Sequence, residues 1–371
     1  MNNLAQLKQM VKDCGIVGAG GAGFPTYKKL DSRAHTIILN CAECEPLLSL
    51  HSQLLTHFTE EILSTLRNVA EVLDAKPIVA IKESRPEAIE AVGDHIEVAV
   101  LKDLYPAGDE ILLIHEVSGV VVPPGTLPIE SGFIVLNVET VYNIHLAKPV
   151  THKWVTVAGE VEQPITINVP VGTTIKDVVK HITTDNPAYI AGGPMMGSVV
   201  DSSYTIKKNT NAIIVLPSNH KLVQKGSASV NLNRASSACC QCRSCTEMCP
   251  RFLLGYPIQP HRIMRALVVR DASSDAFKGV AYCSLCGLCE MMACPQSLSP
   301  RSLIKLFKSA LHMSVGATAL GRPRAYQSFA GDRGRSPLLS MPHRRLSTKR
   351  LKMRLGLAKY DLNAPLEMVK I

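Results

Sequence analysis

The chain has 371 residues, of which 46% are hydrophobic and 5% aromatic, and its formal net charge is +9. This length predicts two or three domains. Residues 301–371 contain 15 of the 40 Lys and Arg and 3 of the 31 Asp and Glu, so the other 300 residues carry 25 − 28 = −3. The basic excess therefore belongs to the C-terminal tail, which argues against a nucleic-acid-binding protein.

The N-terminal segment predicts a helix and not a signal peptide. Leu4, Leu7, Met10 and Val11 fall on one helical face. No apolar run approaches the roughly 18 residues that would cross a bilayer. We therefore expect a cytoplasmic protein with reduced thiols. The 12 cysteines of such a protein indicate metal or redox chemistry and not disulfides.

A glycine-rich segment, GIVGAGGAGFPTYKKL, follows at residues 15–30. Its glycines leave backbone N–H groups able to approach a phosphate. These glycines are Gly18, Gly20, Gly21 and Gly23. Because a helix precedes the segment where a dinucleotide-binding motif has a strand, the pattern alone favours an ordinary turn over a phosphate site.

Two buried strands, at residues 36–39 and 133–136, are predicted to end in polar side chains. The polar residues after them are Asn40, Glu43, Glu45, Asn137, Glu139 and Thr140. In an open α/β sheet, ligands bind beyond the carboxyl ends of the strands. The two strands therefore strengthen the case for a ligand site beside the glycine-rich segment.

Residues 154–182 alternate in polarity with a period of two and then become helical. Gly159 and Pro164 bracket a turn between two strands, so a hairpin followed by a helix is expected, as in a small β-grasp module. No residue there identifies a ligand, which favours a spacer or docking surface over a binding site. In the next segment, AGGPMMG, we interpret Met195 and Met196 as packing residues and not metal ligands.

Two cysteine runs are the strongest signal in the chain: CCQCRSCTEMCP at residues 239–250 and CSLCGLCEMMACP at residues 283–295. Each offers three thiols that suit one cubane, while the cysteine before the proline ligates the other cluster in two-cluster ferredoxins. We predict one [4Fe–4S] cluster on Cys239, Cys242, Cys245 and Cys294. We predict the second on Cys283, Cys286, Cys289 and Cys249.

The alternative is a pair of structural zinc sites. Zinc usually takes two separated CxxC pairs, which fits these runs less well. The second run has one more residue before its last cysteine, which changes the loop length only. Cys240 is a spare thiol, expected as a buried neighbour, and Cys14 is expected in the core.

Helices are predicted at PHRIMRALVV, between the runs, and at SPRSLIKLFKSALH, after them. This pair of sites therefore looks more like a helical ferredoxin module than a small β-type ferredoxin. Residues 314–343 are rich in Gly, Ser, Pro and Arg and read as a flexible linker. Ser347 is predicted to cap a helix that runs to Leu357.

The motifs GAGGAGFPT, N-x-x-E-x-E-P and N-V-E-T, with both cysteine runs in order, resemble a known superfamily over residues 1–310. The chain is similar to the flavin subunit of respiratory complex I, more so to the C subunit of the Rnf electron-transport complex. It is most similar to the cobalamin reductases of propanediol-utilisation microcompartments. The resemblance implies an α/β fold with a Rossmann-like FMN-binding domain, a β-grasp module and a helical two-cluster ferredoxin domain.

The resemblance also implies roles for individual residues. The four glycines would line the FMN phosphate, and Lys29 would reach the phosphate or the ring edge. Glu43 and Glu45 would act beside the flavin and the nicotinamide approach, as catalytic residues. The remaining cofactor-binding residues would be Asn40, Tyr105, Gly108, Asp109, Glu110, Asn137 and Thr140.

Two departures from the complex I subunit are evident. Ala42 replaces an Asp, and a double cluster site replaces a single one. Cys41 and Cys44 form a CxxC, for which packing is favoured over a redox dithiol. The expected domains are 1–148 (FMN and NADH), 149–204 (β-grasp), 205–313 (clusters) and 314–371, a basic tail that lacks the barrel-sandwich domain of the cobalamin reductases.

The resemblance predicts an NADH-dependent oxidoreductase that passes electrons through FMN and two [4Fe–4S] clusters. The expected acceptor is a corrin cobalt held by a partner enzyme, inside a microcompartment. The alternatives are an Rnf-type subunit on the inner membrane, coupling ferredoxin and NAD, and a non-catalytic relay subunit without a working flavin.

Overall fold

A computed structural model describes residues 3–21, 23–224, 226–269, 271, 274–314, 346–360 and 365–370. Apart from Ser314, the predicted linker lies outside these residues. The chain divides into two units, Met1–Val120 with Leu127–Gln224 and Ser347–Ile371, and Val121–Thr126 with Lys225–Leu346. None of the helices in the described ranges combines the length and apolar composition that a bilayer crossing needs.

The secondary structure alternates in the first 150 residues and becomes helical around the cysteines. The helices are α1 (Leu4–Asp13), α2 (Leu50–His57), α3 (Thr59–Leu73), α4 (Pro86–Val92), α5 (Glu110–Ser118), α6 (Val138–Leu146), α7 (Ile175–Val178), α8 (Ala228–Ala238), α9 (Ser244–Glu247), α10 (Pro250–Leu253), α11 (Pro260–Val269), α12 (Pro300–Ser314) and α13 (Thr348–Leu355). The strands are β1 (Thr36–Cys41), β2 (Lys76–Lys82), β3 (Glu97–Leu101), β4 (Phe133–Asn137), β5 (His152–Gly159), β6 (Ile165–Pro170), β7 (Pro187–Ala191), β8 (Ser198–Val200), β9 (Ala212–Pro217) and β10 (Leu366–Lys370).

The first unit contains a parallel sheet with strand order β3-β2-β1-β4. Buried side chains of β1, such as Ile37 and Leu39, pack in one core with apolar residues of α1, α2, α3 and α6. The chain moves outward from β1 to β3 and then returns to place β4 on the other side of β1. The carboxyl ends of β1 and β4 therefore form a switch point, where ligands bind in such sheets, and Asn40 is in register with Asn137 there.

A second sheet of the same unit has the order β10-β6-β5-β9-β7-β8. β5 and β6 form the predicted hairpin, and β5 pairs with β9 in parallel. A glycine is required at the hairpin turn, since Gly159 has φ +101° and a Cβ there would lie 2.0 Å from the Val215 carbonyl oxygen. The expected helix is only the four-residue α7, because the backbone becomes extended again at Val179.

Strand β9 completes this sheet, although the sequence-based boundaries assign residues 212–217 to the next domain. We propose that the β-grasp module extends to Pro217. The tail also returns to this module, because β10 pairs with β6.

The C-terminal segment contacts the parallel sheet through a partly buried polar cluster. Ser347 caps α13 by accepting a hydrogen bond from the Arg350 N–H, as predicted, and the helix ends at Leu355. Next to the cap, the buried Lys82 ammonium donates to Asp103 at 2.9 Å and to the Thr348 hydroxyl at 3.1 Å. Burial raises the pKa of Asp103, but Lys82 and the Thr348 hydroxyl together bring it below its usual range.

The second unit is helical in its described part. Residues of α8, α11 and α12 pack around a small core that includes Ala235, Met264 and Leu303, and the helices predicted on both sides of the second cysteine run are present. Residues Val121–Thr126 belong to this unit, where the buried Tyr256 hydroxyl donates to the Val122 carbonyl at 2.6 Å.

A buried ion pair joins the parallel sheet to the β-grasp module. The Lys153 ammonium on β5 donates to the Glu139 carboxylate on α6, and both side chains are 1% exposed. The other Glu139 oxygen accepts the Trp154 N–H at 3.2 Å. The charge of each partner is therefore compensated without water.

We predict that Lys153→Met destabilises the protein by about 3–5 kcal/mol, because it leaves the Glu139 carboxylate buried without its counter-charge. Urea denaturation followed by the fluorescence of Trp154, the single tryptophan of the chain, measures the loss. As a control, Lys76→Met removes an ion pair with Glu97 whose side chains are 58% and 53% exposed, and should cost at most about 1 kcal/mol. Equal effects of the two substitutions would contradict a stabilising role for the buried pair.

Candidate functional site: flavin loops and two sets of cysteines

The first set of cysteines surrounds one cavity. Cys239, Cys242, Cys245 and Cys294 all line it. Burial and then the neighbouring thiols of Cys294, Cys239 and Cys242 raise the pKa of Cys245 to about 12. The structure therefore brings Cys294, from the end of the second run, to the three thiols of the first.

The thiols of the second set also lie close enough to one another to interact. Burial, followed by the thiols of Cys283, Cys286 and Cys249, raises the pKa of Cys289. Cys249, from the end of the first run, is buried, and the nearby Cys283 thiol adds to the effect of that burial on its pKa. Within each predicted group, the four thiols thus lie close to one another. Their role as iron ligands stays a prediction.

Tight turns bring three thiols of each run to one side. In the first run Gln241 and Arg243 have φ of +53° and +68°, and in the second Leu285 and Gly287 have φ of +59° and +84°. These left-handed residues lie between the cysteines and reverse the backbone locally. The prediction for Cys240 was wrong: it is exposed, because its side chain lies on a turn and not in a helical core.

The donor chemistry of both sets suits iron–sulfur clusters, which thiolates hold. Within the described residues, no group of three or more His, Cys, Asp or Glu side chains is arranged to hold a metal ion. The four thiols of the first set instead line a cavity.

The glycine-rich loop is closed by its own backbone. The Gly18 N–H donates to the Phe24 carbonyl at 2.8 Å, and the Gly23 N–H donates to the Gly18 carbonyl at 3.2 Å. Among the described residues, the N–H groups of Gly20 and Gly21 have no such bond, so these two are the ones able to meet a phosphate. Gly21 has φ +115°, and a Cβ there would meet nothing within 4 Å, which leaves space for a ligand.

The switch point of the sheet holds this loop. The Thr140 hydroxyl, in the first turn of α6, accepts the Ala19 N–H at 3.0 Å. A Cβ at Gly20 would lie 3.2 Å from the Asn137 amide nitrogen, so a side chain there would crowd that amide. Asn40, on the adjacent strand, donates to the Gly108 carbonyl at 3.0 Å. Segments far apart in sequence thus converge where the strand order reverses.

Lys29 and Glu110 form an ion pair at 2.7 Å, and the Lys29 ammonium also donates to the Val135 carbonyl at 3.1 Å. Asp109 caps α5 by accepting from the N–H groups of Ile111 and Leu112. Tyr105 is fully buried, and a Cβ at Gly108 would lie 2.7 Å from the Ala42 carbonyl oxygen. Lys29 and Glu110 therefore form a charge pair, Asp109 serves as a helix cap, and Tyr105 is a core residue.

His51 is a residue that the sequence analysis missed. Its Nε2 lies 2.8 Å from the Asn137 amide nitrogen, a donor, so Nε2 accepts. Its backbone N–H donates to Glu43 Oε2 at 3.1 Å. His51 Nδ1 and Glu43 Oε1 lie 3.9 Å apart, and in the described part of the chain each is buried without a hydrogen-bond partner. His51 thus links Glu43 to the asparagine beside the glycine loop.

Glu45 contacts the β-grasp module. Its two carboxylate oxygens accept the N–H groups of Met195 and Met196, both at 2.8 Å. The sequence predicted a position beside the nicotinamide approach and gave no sign of this contact with the β-grasp module, which depends on backbone groups.

The CxxC at Cys41 and Cys44 is poorly suited to thiol redox chemistry. Burial raises the pKa of Cys41 strongly, and burial also raises that of Cys44, to about 11. A reactive thiol needs a lowered pKa and access to solvent. The packing interpretation agrees with the burial of Cys41 and Cys14, whereas Cys44 is half-buried.

Known protein families match both regions. Residues 11–146 match the Nuo51 FMN-binding domain, and residues 238–299 match the 4Fe-4S dicluster domain. A cobalamin reductase PduS of Citrobacter freundii is 36% identical over 97% of this chain and 81% of its own length. The chain belongs to the PduS cobalamin reductase family. A second member, from Salmonella typhimurium, is 34% identical with the same coverage.

More distant relatives share part of the chain. The C subunit of the ion-translocating oxidoreductase complex of Rhodobacter capsulatus is 31% identical over 66% of this chain and 49% of its own length. A chain of an NAD+-reducing [NiFe]-hydrogenase shares the fold, with a TM-score of 0.54 at 21% identity, over 84% of this chain and 63% of that one. With an FMN-binding domain and a 4Fe-4S dicluster domain in one sequence, this chain is an FMN and iron–sulfur electron-transfer protein.

In the predicted arrangement, the last cysteine of each run binds the cluster of the other run. We therefore predict that Cys249→Ser removes the cluster of the second run and spares that of the first. Iron should fall from about eight to about four per chain, with the electron paramagnetic resonance signal of one cluster retained. The exposed Cys240→Ser is the matched control and should keep all the iron. Retention of the cluster on the second run, with loss of the first, would show that the fourth ligands are not exchanged.

The glycine loop predicts that Gly21→Val loses FMN while iron stays, because the side chain would fill the space where backbone approaches phosphate. Flavin and iron content of purified protein measure this. Gly172→Val is the control, since Gly172 has a similar φ of +100° and also nothing within 4 Å of a Cβ, but lies in the β-grasp hairpin region. If both variants keep their flavin, the loop has another purpose.

Proposed function

We propose that the chain oxidises NADH at its flavin loops, which are the glycine-rich loop (residues 15–30) and the segments that follow β1 and β4. The electrons then pass through the two cysteine sets to a corrinoid acceptor. The observation that carries this proposal is the combination, in one chain, of a glycine loop at a sheet switch point with two groups of four converging thiols. FMN converts the two-electron chemistry of nicotinamide into the one-electron steps that clusters accept. The hydride that leaves NADH thus supplies two electrons, which the acceptor receives singly.

The chain's own residues have separate tasks in this proposal. Gly20 and Gly21 offer N–H groups to the FMN phosphate, and Lys29 supplies positive charge near it while Glu110 fixes the ammonium by an ion pair. Asn40 and Asn137 hold the ends of the two strands in position. Glu43 places a buried carboxylate beside His51, with Oε1 3.9 Å from His51 Nδ1, and its proposed role is to act beside the flavin and the nicotinamide approach.

The acceptor is proposed to be cobalamin, presented by a partner enzyme inside a microcompartment. The relatives named as cobalamin reductases match 97% of this chain, whereas the ion-translocating subunits match 66% to 69%. The second candidate is a peripheral subunit of an ion-translocating complex that couples ferredoxin and NAD. Anaerobic assay of NADH oxidation with cobalamin and with ferredoxin separates the two.

The proposed order of sites predicts that Cys286→Ala blocks the delivery of electrons and leaves their uptake intact. NADH should still bleach the flavin absorbance, whereas reduction of cobalamin should fall to a few per cent of the original rate, because a thiol ligand is absent. Stopped-flow spectra at flavin and corrinoid wavelengths measure both steps. Cys240→Ala, also in a cysteine run but exposed, is the matched control and should reduce cobalamin normally. Undiminished cobalamin reduction by Cys286→Ala would show that the acceptor takes electrons directly from the flavin.

A further inference from the structure

The β-grasp module makes three polar contacts with the segments that form the flavin site. They come from Lys208, from Asn209 and from the backbone of Met195 and Met196. We propose that the module positions the flavin loops, with Lys208 and Asn209 as positioning residues for the FMN phosphate. The inference rests on the proposed flavin site and assigns the module a task in cofactor retention, where the sequence favoured a spacer or docking surface.

Asn209 holds the tip of the glycine loop. Its amide nitrogen donates to the Gly21 carbonyl at 2.8 Å. A Cβ at Gly23 would lie 3.2 Å from the same nitrogen, so the amide lies against both positions. Within residues 15–21 and 23–30, the backbone bonds of Gly18, Gly23 and Phe24 close the base of the loop, and none of these bonds involves Gly21. Asn209 therefore holds Gly21, at the tip of the loop, whereas the loop's own backbone bonds hold its base.

Lys208 holds the start of the loop. Its ammonium donates to the Gly15 carbonyl at 2.9 Å, and a Cβ at Gly15 would lie 2.7 Å from that nitrogen. Gly15 has φ +61°, which a glycine adopts without strain. Two consecutive side chains of the β-grasp module thus hold the two ends of a segment that is predicted to receive a phosphate.

A tight turn makes this pair rigid. The Thr210 N–H donates to the Lys207 carbonyl at 2.9 Å, and the Lys207 N–H donates to the Thr210 hydroxyl at 3.1 Å. Thr210 is 4% exposed. Lys208 and Asn209 lie at the tip of this turn, so their direction is set within the module before a ligand arrives. Preorganisation of this kind reduces the entropy lost on binding.

Glu45 forms the third contact and ties the segment after β1 to the module. Both of its oxygens accept backbone N–H groups, an arrangement that is stronger than neutral hydrogen bonds. A Cβ at Gly193 would lie 2.3–2.4 Å from the carboxylate, so the approach requires a glycine at that position. Glu45 is therefore a positioning residue in this proposal, because its carboxylate binds the backbone of Met195 and Met196 in the β-grasp module.

The experiment compares Asn209→Asp, Lys208→Met and Lys207→Met. Asp has the shape of Asn but places an acceptor against the Gly21 carbonyl, so FMN should bind about tenfold or more weakly, a change that corresponds to about 1.4 kcal/mol. Lys208→Met should weaken FMN binding by about threefold to tenfold. Lys207 is exposed on the same turn, with its ammonium 5.4 Å from the Tyr204 ring centre, and Lys207→Met should leave the FMN affinity unchanged.

Three measurements separate the outcomes: the Kd for FMN from flavin fluorescence, the melting temperature of the flavin-free protein, and the iron content. Weaker FMN binding with melting temperature and iron near those of the original protein supports the proposal. An unchanged Kd in both Asn209→Asp and Lys208→Met overturns it. A lower melting temperature with an unchanged Kd also overturns it, since the contacts would then serve stability alone. If the original protein does not bind FMN, the proposed function itself fails.

Discussion

The flavin half of this protein depends on one buried charge pair, Glu139 with Lys153, because Glu139 lies in the same turn as the residues that build the site. Asn137 precedes α6 and Thr140 belongs to its first turn. Thr140 holds the glycine loop through Ala19, and Asn137 lies against Gly20. Glu139, between them, directs its carboxylate to the β-grasp strand. One helical turn thus sets the positions of the cofactor loop, the sheet edge and the second module.

Such an arrangement explains why an expensive interaction is kept in the interior. A buried ion pair adds little net stability compared with apolar packing, but loss of one partner is costly. The ion pair restricts the relative placement of α6 and β5, because the Glu139 carboxylate accepts both the Lys153 ammonium and the Trp154 N–H. The contacts of Lys208 and Asn209 with the glycine loop then follow from that placement, since all three segments belong to the same unit.

The sequence predicted the features that depend on local spacing and failed where backbone groups of distant segments meet. The cysteine spacing, together with the ligand exchange of two-cluster ferredoxins, predicted which thiols converge, and alternating polarity predicted the β5–β6 hairpin. Glu45 accepts hydrogen bonds from the backbone N–H groups of Met195 and Met196. Because every residue type except proline has such an N–H group, the residue types at these positions cannot predict the contact. His51 was missed because a lone histidine on a helix has no spacing to identify it. The pairing of β9 with β5 and β7 has no local sequence signal, because β9 follows a long irregular segment.

The two halves of the protein bind groups of opposite charge. The flavin loops are suited to an anionic phosphate, and the cysteine sets are suited to metal cations. At the flavin loops, N–H groups, Lys29 and preset hydrogen bonds are in place before an anionic phosphate arrives, so binding requires little rearrangement. At the cysteine sets, eight thiols are gathered in two partly buried groups where each thiolate would repel its neighbours. Such a group is stable only when cations compensate the charge, so metal binding and folding are coupled there. Hydrogen bonds therefore fix the conformation of the flavin half without a ligand, whereas iron binding completes the folding of the cluster half.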